Sequence, residues 1–275
     1  MKTAHFVEQF FFTFVSMMNN NPIGLFDSGI GGTSIWKEIH ELLPNENTIY
    51  LADSKNAPYG QKSKEEIVQL SIKNTEFLLE ENCKIIVVAC NTATTNAIKE
   101  LRLRYSIPFI GIEPAIKPAA TNSKTQTIGI LATQGTLNSA LFHQTVERFQ
   151  NTTIIEQIGH GLVQLIENGE INSPEMNQLL HSYLQPMIEA NIDYLVLGCS
   201  HYPYLIPQIK KILPKHIKII DSGEAVARQT KNILNEKTGL NNQMEKSSQV
   251  FFSNTNATVL ASILENKFAV IVKDF

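Results

Sequence analysis

Two cysteines in this sequence stand where a thiol can do chemistry. Cys90 lies in Ile85-Ile-Val-Val-Ala-Cys-Asn-Thr-Ala-Thr94, and Cys199 in Tyr194-Leu-Val-Leu-Gly-Cys-Ser-His-Tyr202. In both, a short apolar run stops at small and polar residues, as a fully buried parallel strand does at its carboxyl end. Ligands of open α/β sheets bind at such ends. A helix opening just beyond the sulfur aims N–H groups and its positive dipole end at it, which favours thiolate. A free thiol of pKa about 8.5 is only a few per cent ionised at neutral pH. Lowering that value by one unit takes about 1.4 kcal/mol, within reach of a helix terminus and one cation.

Three uses of this pair compete. A structural disulfide does not suit a reducing cytoplasm, which three cysteines without a CxxC pair otherwise imply. Zinc wants three or four ligands, and Cys90 with Cys199-x-His201 offers three at an unusual spacing. Acid–base work remains, and one reaction needs such a pair. Inverting a carbon centre requires one group to take a proton from one face and a second to return one to the other. Cys83, at a helix-to-strand junction, reads as a small buried hydrophobe.

Other residues gather around this chemistry. Asp27-Ser-Gly-Ile-Gly-Gly32 looks like a phosphate loop, but its glycine spacing fits neither nucleotide fingerprint, and Asp27 would repel an anion. The loop suits a ligand with an ammonium near Asp27 and a carboxylate near the N–H groups from Ser28 onward, as in an α-amino acid. His201 could share a proton with Cys199, and Asp27 could do the same for Cys90. Tyr59, in Pro58-Tyr-Gly60, is expected on an exposed loop where it could hydrogen-bond a ligand carboxylate. Trp36 is expected in the core. No metal site and no cofactor is expected.

The elements that must position these residues alternate strand and helix, which implies parallel sheets. Strands are expected at Ile23–Phe26, Thr48–Ala52, the run before Cys90, Pro108–Ile112, Thr127–Ala132, Ile154–Ile158, the run before Cys199, Ile217–Ile220 and Gln249–Ser253. Helices are expected over Thr33–Leu43, Lys64–Glu81, Ala93–Tyr105, Leu137–Phe149, Leu162–Asn168 and Pro174–Ala190, then from Gly223 and from Asn256. Thr133–Thr136 is expected as a loop. The fold class is α/β, with two doubly wound parallel-sheet lobes and the active site in the cleft between them. The expected division is residues 22–115 plus 225–275 for the first lobe and 116–224 for the second.

Composition narrows the partners. The 275 residues are 43% hydrophobic and 18% charged with net charge −3, an ordinary globular balance without a basic footprint for nucleic acid. The run Phe10-Phe-Phe-Thr-Phe-Val-Ser-Met-Met18 loosely imitates a signal peptide. It has Glu8 beside it, lacks a small-x-small cleavage site, and falls far below the roughly 20 apolar residues of a membrane span. Residues 1–21 are expected to be a poorly ordered extension, or an over-called start with the true one at Met17 or Met18. A cytoplasmic protein with no membrane partner is expected.

Asp27-Ser-Gly-Ile-Gly-Gly32, Ala57-Pro-Tyr-Gly60, Ala89-Cys-Asn-Thr-Ala93, Gly111-Ile-Glu-Pro-Ala-Ile-Lys-Pro118 and Leu197-Gly-Cys-Ser-His-Tyr-Pro203 resemble, in order and spacing, the signature stretches of the glutamate racemase family. This family lies in the aspartate/glutamate racemase superfamily, and the similarity runs from about Pro22 to about Phe268. The resemblance implies a cofactor-independent racemase that interconverts L- and D-glutamate and supplies D-glutamate for peptidoglycan in a bacterial cytoplasm. It implies that Cys90 deprotonates D-glutamate and Cys199 L-glutamate, with Asp27 supporting Cys90 and His201 supporting Cys199. Glu167 matches a further acidic residue near the second cysteine, although the family's Ala-Cys-Pro before it stands here as Gly159-His160-Gly161. On pattern alone Glu167 is a solvated helix residue. Substrate contacts carry over to Asp27, Ser28, Pro58, Tyr59, Gly60, Asn91, Thr92, Ser200 and His201. Ser200 stands where most relatives have threonine, so the hydroxyl is kept. A homodimer is among the expectations. Rival readings are a two-cysteine isomerase acting on aspartate or a cyclic amide, a non-catalytic amino-acid sensor, and a zinc hydrolase.

Overall fold

The structure is a computed structural model that describes residues 20–241 and 247–275; the expectations for residues 1–19 lie outside them. In chain order it runs β1 (Ile23–Asp27), α1 (Thr33–Leu42), β2 (Thr48–Ala52), α2 (Lys64–Glu80), β3 (Ile85–Val88), α3 (Asn91–Arg104), β4 (Phe109–Gly111) and α4 (Ile116–Asn122). Then follow β5 (Thr127–Ala132), α5 (Gln134–Leu137), α6 (Ala140–Val146), β6 (Thr153–Ile158), α7 (Leu162–Glu167), α8 (Pro174–Glu189) and β7 (Tyr194–Gly198). The chain closes with α9 (Ile206–Ile212), β8 (Lys218–Ile220), α10 (Gly223–Ile233), β9 (Gln249–Ser253), α11 (Thr258–Ile263) and β10 (Val270–Val272).

The strands form two sheets, ordered β10-β9-β2-β1-β3-β4 and β6-β5-β7-β8, with every pairing parallel. Helices cover both faces of the sheet centres, so β3 is Ile-Ile-Val-Val with every residue buried. The first four strands of each unit follow the same spatial order, second-first-third-fourth. Each sheet therefore has a switch point where successive connections leave in opposite directions, β1/β3 in one and β5/β7 in the other. Such points are where open α/β sheets bind ligands. Cys90 follows the third strand of the first unit and Cys199 the third strand of the second.

Local chemistry sets the boundaries. Ser63 and Glu66 form a reciprocal capping box that starts α2. Cys90 itself caps α3, whose first turn takes in Asn91 and Thr92 rather than starting at Ala93. The expected helix over 137–149 divides because two hydroxyls compete for its start. Thr133 caps the short α5, which occupies most of the expected loop, and Ser139 caps α6. β10 was not expected; its exposed Ile271 and Val272 form an edge without an alternating pattern. Trp36 is buried, its indole N–H donating to Thr48 Oγ1 at 2.9 Å and its ring set edge-on against Phe251.

At the amino ends of the first sheet's strands lies a buried ion pair, Lys84 Nζ to Glu46 Oε2 at 2.7 Å. Burial lowers the Lys84 pKa, and Glu46 only partly offsets this. Glu46 Oε1 also accepts the Asn241 N–H at 2.7 Å, tying in the segment that follows α10. No described helix is long and apolar enough to cross a membrane.

Candidate active site

Cys90 and Cys199 line one cavity of about 10 Å³, together with Ser28, Pro58, Tyr59, Gly60, Asn91, Thr92, Ser200 and His201. That is room for about one water molecule. A neighbouring cavity of about 40 Å³ shares Pro58, Gly60, Thr133 and Val163 with it and runs outward past His160. The site is closed, and a ligand of amino-acid size enters only if the loops after β2 and β5 part. Both sulfurs are delivered as the sequence implied, each from a buried strand, and both are free thiols.

Around Cys90 the helix start works differently from expectation. Its Sγ accepts the Ala93 N–H at 3.4 Å and donates to Ser28 Oγ at 3.8 Å. Burial pushes this thiol well above its usual range, and the charge of Asp27 pushes the same way. The Ala93 and Ser28 N–H groups oppose that shift but are outweighed. A helix terminus contributes little against complete desolvation, so Cys90 rests as the thiol rather than the thiolate. Cys83 is a buried hydrophobe, and burial holds its thiol up at about 12.

Asp27 is fully buried. Its Oδ2 accepts the Gly32 N–H at 2.8 Å and its Oδ1 the Ser200 hydroxyl at 3.3 Å. Burial raises its pKa, opposed by His201, by a hydrogen bond with Cys90 and by the Gly32 N–H. Much of the glycine loop therefore spends its N–H groups within the protein rather than on a ligand carboxylate. Gly32 spends its own on Asp27, while Ile30 donates to Glu167 Oε1 at 2.7 Å. The glycines allow close approach: a Cβ on Gly31 would stand 2.1 Å from His201 Nδ1, and one on Gly29 2.0 Å from Glu167 Oε1. Tyr50 holds the loop from beneath, donating to the Gly29 carbonyl at 2.7 Å.

Around Cys199 a relay is assembled. His201 Nδ1 lies 3.8 Å from Cys199 Sγ, and its Nε2 lies 2.6 Å from Glu167 Oε1. Burial works against the imidazolium, but hydrogen bonds to Cys199 and Glu167 and the charge of Asp27 overcome it and hold the His201 pKa well above its usual range. Nε2 cannot donate to Glu167 and also accept the Gly31 N–H, 3.2 Å away. In the protonated ring the shorter contact to Glu167 prevails. Glu167 is not a solvated helix residue: its side chain is 10% exposed and also accepts the Ser54 hydroxyl at 3.0 Å.

Tyr59 is not on an exposed surface. It is 1% exposed, and its hydroxyl donates to Asp53 and accepts from Asn74. Asp53 and Asn74 thus fix the Pro58–Gly60 wall. Both Asn91 side-chain polar atoms are buried at the cavity and have no partner among the described residues. A buried amide left unpaired costs about 1–3 kcal/mol, so a ligand that bonds to it recovers that cost. Thr92 Oγ1 meets Thr133 Oγ1 of the other sheet at 2.8 Å. The sequence reading missed Asp53, Ser54 and Thr133. Each directly follows a buried strand or its first polar residue, the same signal that marked the cysteines. Gly161 at the mouth has φ +78°, which excludes the proline usual there.

A family profile described as Asp/Glu/Hydantoin racemase matches residues 23–230. The chain is 44% identical over 234 residues to glutamate racemase of Ectopseudomonas mendocina, covering 84% of this chain and 89% of that one. It superposes on the crystal structure of a glutamate racemase isoform from Bacillus anthracis with a TM-score of 0.84 at 31% identity, covering 93% of this chain and 98% of that one. On glutamate racemase from Francisella tularensis in complex with D-glutamate the TM-score is 0.80 at 29% identity, over 93% and 98% of the two chains.

Proposed function

The chain belongs to the Asp/Glu/Hydantoin racemase family and is an amino-acid racemase, and from that premise we propose that it interconverts L- and D-glutamate by a two-thiol proton transfer at the α-carbon. The observation that carries this reading is the meeting of two cysteines, from like strands of two like-ordered sheets, in one small cavity. In the L-to-D direction the Cys199 thiolate takes the α-hydrogen. The resulting carbanion receives the Cys90 S–H proton on its opposite face, leaving Cys199 as thiol and Cys90 as thiolate. The reverse direction exchanges these roles.

The resting protonation suits the first direction: Cys90 is held as a thiol, ready to donate, and the His201 imidazolium offers Cys199 a hydrogen-bond donor. Asp27 offers charge for the substrate ammonium. Asn91 and the Thr92 hydroxyl offer hydrogen bonds to carboxylates, while Ser200 holds Asp27. Exclusion of water strengthens each of these contacts as charge builds on the α-carbon. Relatedness to glutamate racemases supports a cytoplasmic role in supplying D-glutamate for peptidoglycan.

The test is circular dichroism with each glutamate enantiomer, run beside aspartate, in deuterium oxide. Both glutamates should lose optical activity and gain α-deuterium. Faster turnover of aspartate would overturn the substrate, and full activity in a Cys90→Ser, Cys199→Ser double variant would overturn the mechanism.

A further inference from the structure

We propose that Ser54 is a positioning residue that completes the second base only when the two sheets close on each other; this rests on the two-thiol reading above. Glu167 ends α7 and belongs with the second sheet, as do His201 and Cys199. Its carboxylate is nonetheless held mainly by the first. Ile30, from the loop after β1, donates to Oε1 at 2.7 Å, and Ser54, just after β2, donates to Oε2 at 3.0 Å. The Ser54 hydroxyl makes no other hydrogen bond that the described residues show.

The two donors do different jobs. Oε1 already serves both the Ile30 N–H and His201 Nε2, and those two bonds fix where that oxygen lies. They leave free the broad terminal torsion of a glutamate side chain. Ser54 on Oε2 removes that freedom, and with it the freedom of the imidazole that Glu167 orients. Orientation then passes along Ser54, Glu167, His201 and Cys199 in contacts of 3.0, 2.6 and 3.8 Å. When the loops part to admit substrate, Glu167 loses both donors and His201 loses its fixed partner. The thiol on the other side has no contact with Ser54 and depends less on closure: Cys90, Asp27, Ser28 and Ala93 all belong to the first sheet and its loops, although Asp27 also meets Ser200 and His201 of the second.

The experiment separates the arms. In a Cys90→Ala background, Cys199 alone exchanges the α-hydrogen of L-glutamate with deuterium oxide; in a Cys199→Ala background, Cys90 alone exchanges that of D-glutamate. Adding Ser54→Ala should slow the first exchange by about fivefold to tenfold, the weight of one ordinary hydrogen bond, and the second by less than about twofold. Ser54→Thr, which keeps the hydroxyl, should restore the first. In the two-thiol enzyme Ser54→Ala should move the alkaline limb of kcat to lower pH. Equal loss in both backgrounds, no loss in either, or an unmoved limb overturns the proposal. Absence of glutamate interconversion in the unmodified protein would instead overturn the reading it rests on.

Discussion

Gly31→Ala should disable catalysis while leaving the protein folded. A methyl group at this position would stand 2.1, 2.4 and 2.6 Å from three atoms of the His201 ring, and restoring ordinary contact at 3.4 Å requires a shift of about 1.3 Å. The loop cannot supply that shift, because the Gly32 N–H is bonded to Asp27 and the Gly29 carbonyl to Tyr50. The ring must move instead, off the position in which Nδ1 faces Cys199. A displacement of about 1 Å in a catalytic group costs on the order of 100-fold, or about 2.7 kcal/mol of barrier. Overpacking of this kind costs about 1–3 kcal/mol in stability, so thermal unfolding should still be cooperative. The assay is kcat/KM for racemisation by circular dichroism, combined in a double-mutant cycle with His201→Ala. Once the ring is gone, adding the methyl group should cost less than about threefold. Independent, additive losses would refute the argument, since they would mean the methyl acts through something other than the imidazole.

Two further outcomes follow from the electrostatics. The His201 pKa is raised in the folded state, so its proton stabilises the fold fully below about pH 6.5, the usual histidine value, and that contribution is lost as pH rises through the raised value. Glu167→Gln should lower the folded value, flatten this part of the stability–pH curve measured by urea unfolding, and bring the alkaline fall in kcat/KM to lower pH. At the other end of the sheet, Lys84→Met strands Glu46 in a buried site and should cost about 3–5 kcal/mol by urea unfolding. Lys84→Met with Glu46→Leu should recover part of that loss: the uncompensated charge is gone, while the Asn241 N–H loses its acceptor.

Much of this molecule is legible in its sequence, because buried parallel strands are spelled in uninterrupted apolar runs. Ile85–Val88 and Tyr194–Leu197 announce both themselves and the sulfurs beyond them. The order of strands within each sheet is not written in any single run, so that both cysteines follow the third strand of like-ordered units emerges only in three dimensions. Tyr59 misled because proline and glycine flank it as they flank exposed turns, while its burial depends on Asp53 and Asn74, distant in pattern. Glu167 misled for a similar reason: its partners Ile30, Ser54 and His201 come from three other parts of the chain. The Cys90 thiol was misjudged because a helix terminus can be read locally, whereas desolvation depends on everything packed around it.

The shared strand order of the two sheets has a consequence for the reaction itself. In the proposed reaction, like scaffolds bring like sulfurs to the two sides of a flattened carbanion, but their companions are unlike: a lone carboxylate behind one, an imidazole backed by a carboxylate behind the other. Mirror-image amino acids are equal in energy in free solution, so thermodynamics obliges the two directions to share one kcat/KM. The inequality of the companions can therefore surface only at saturation, as paired differences in turnover number and half-saturating concentration that cancel in the ratio.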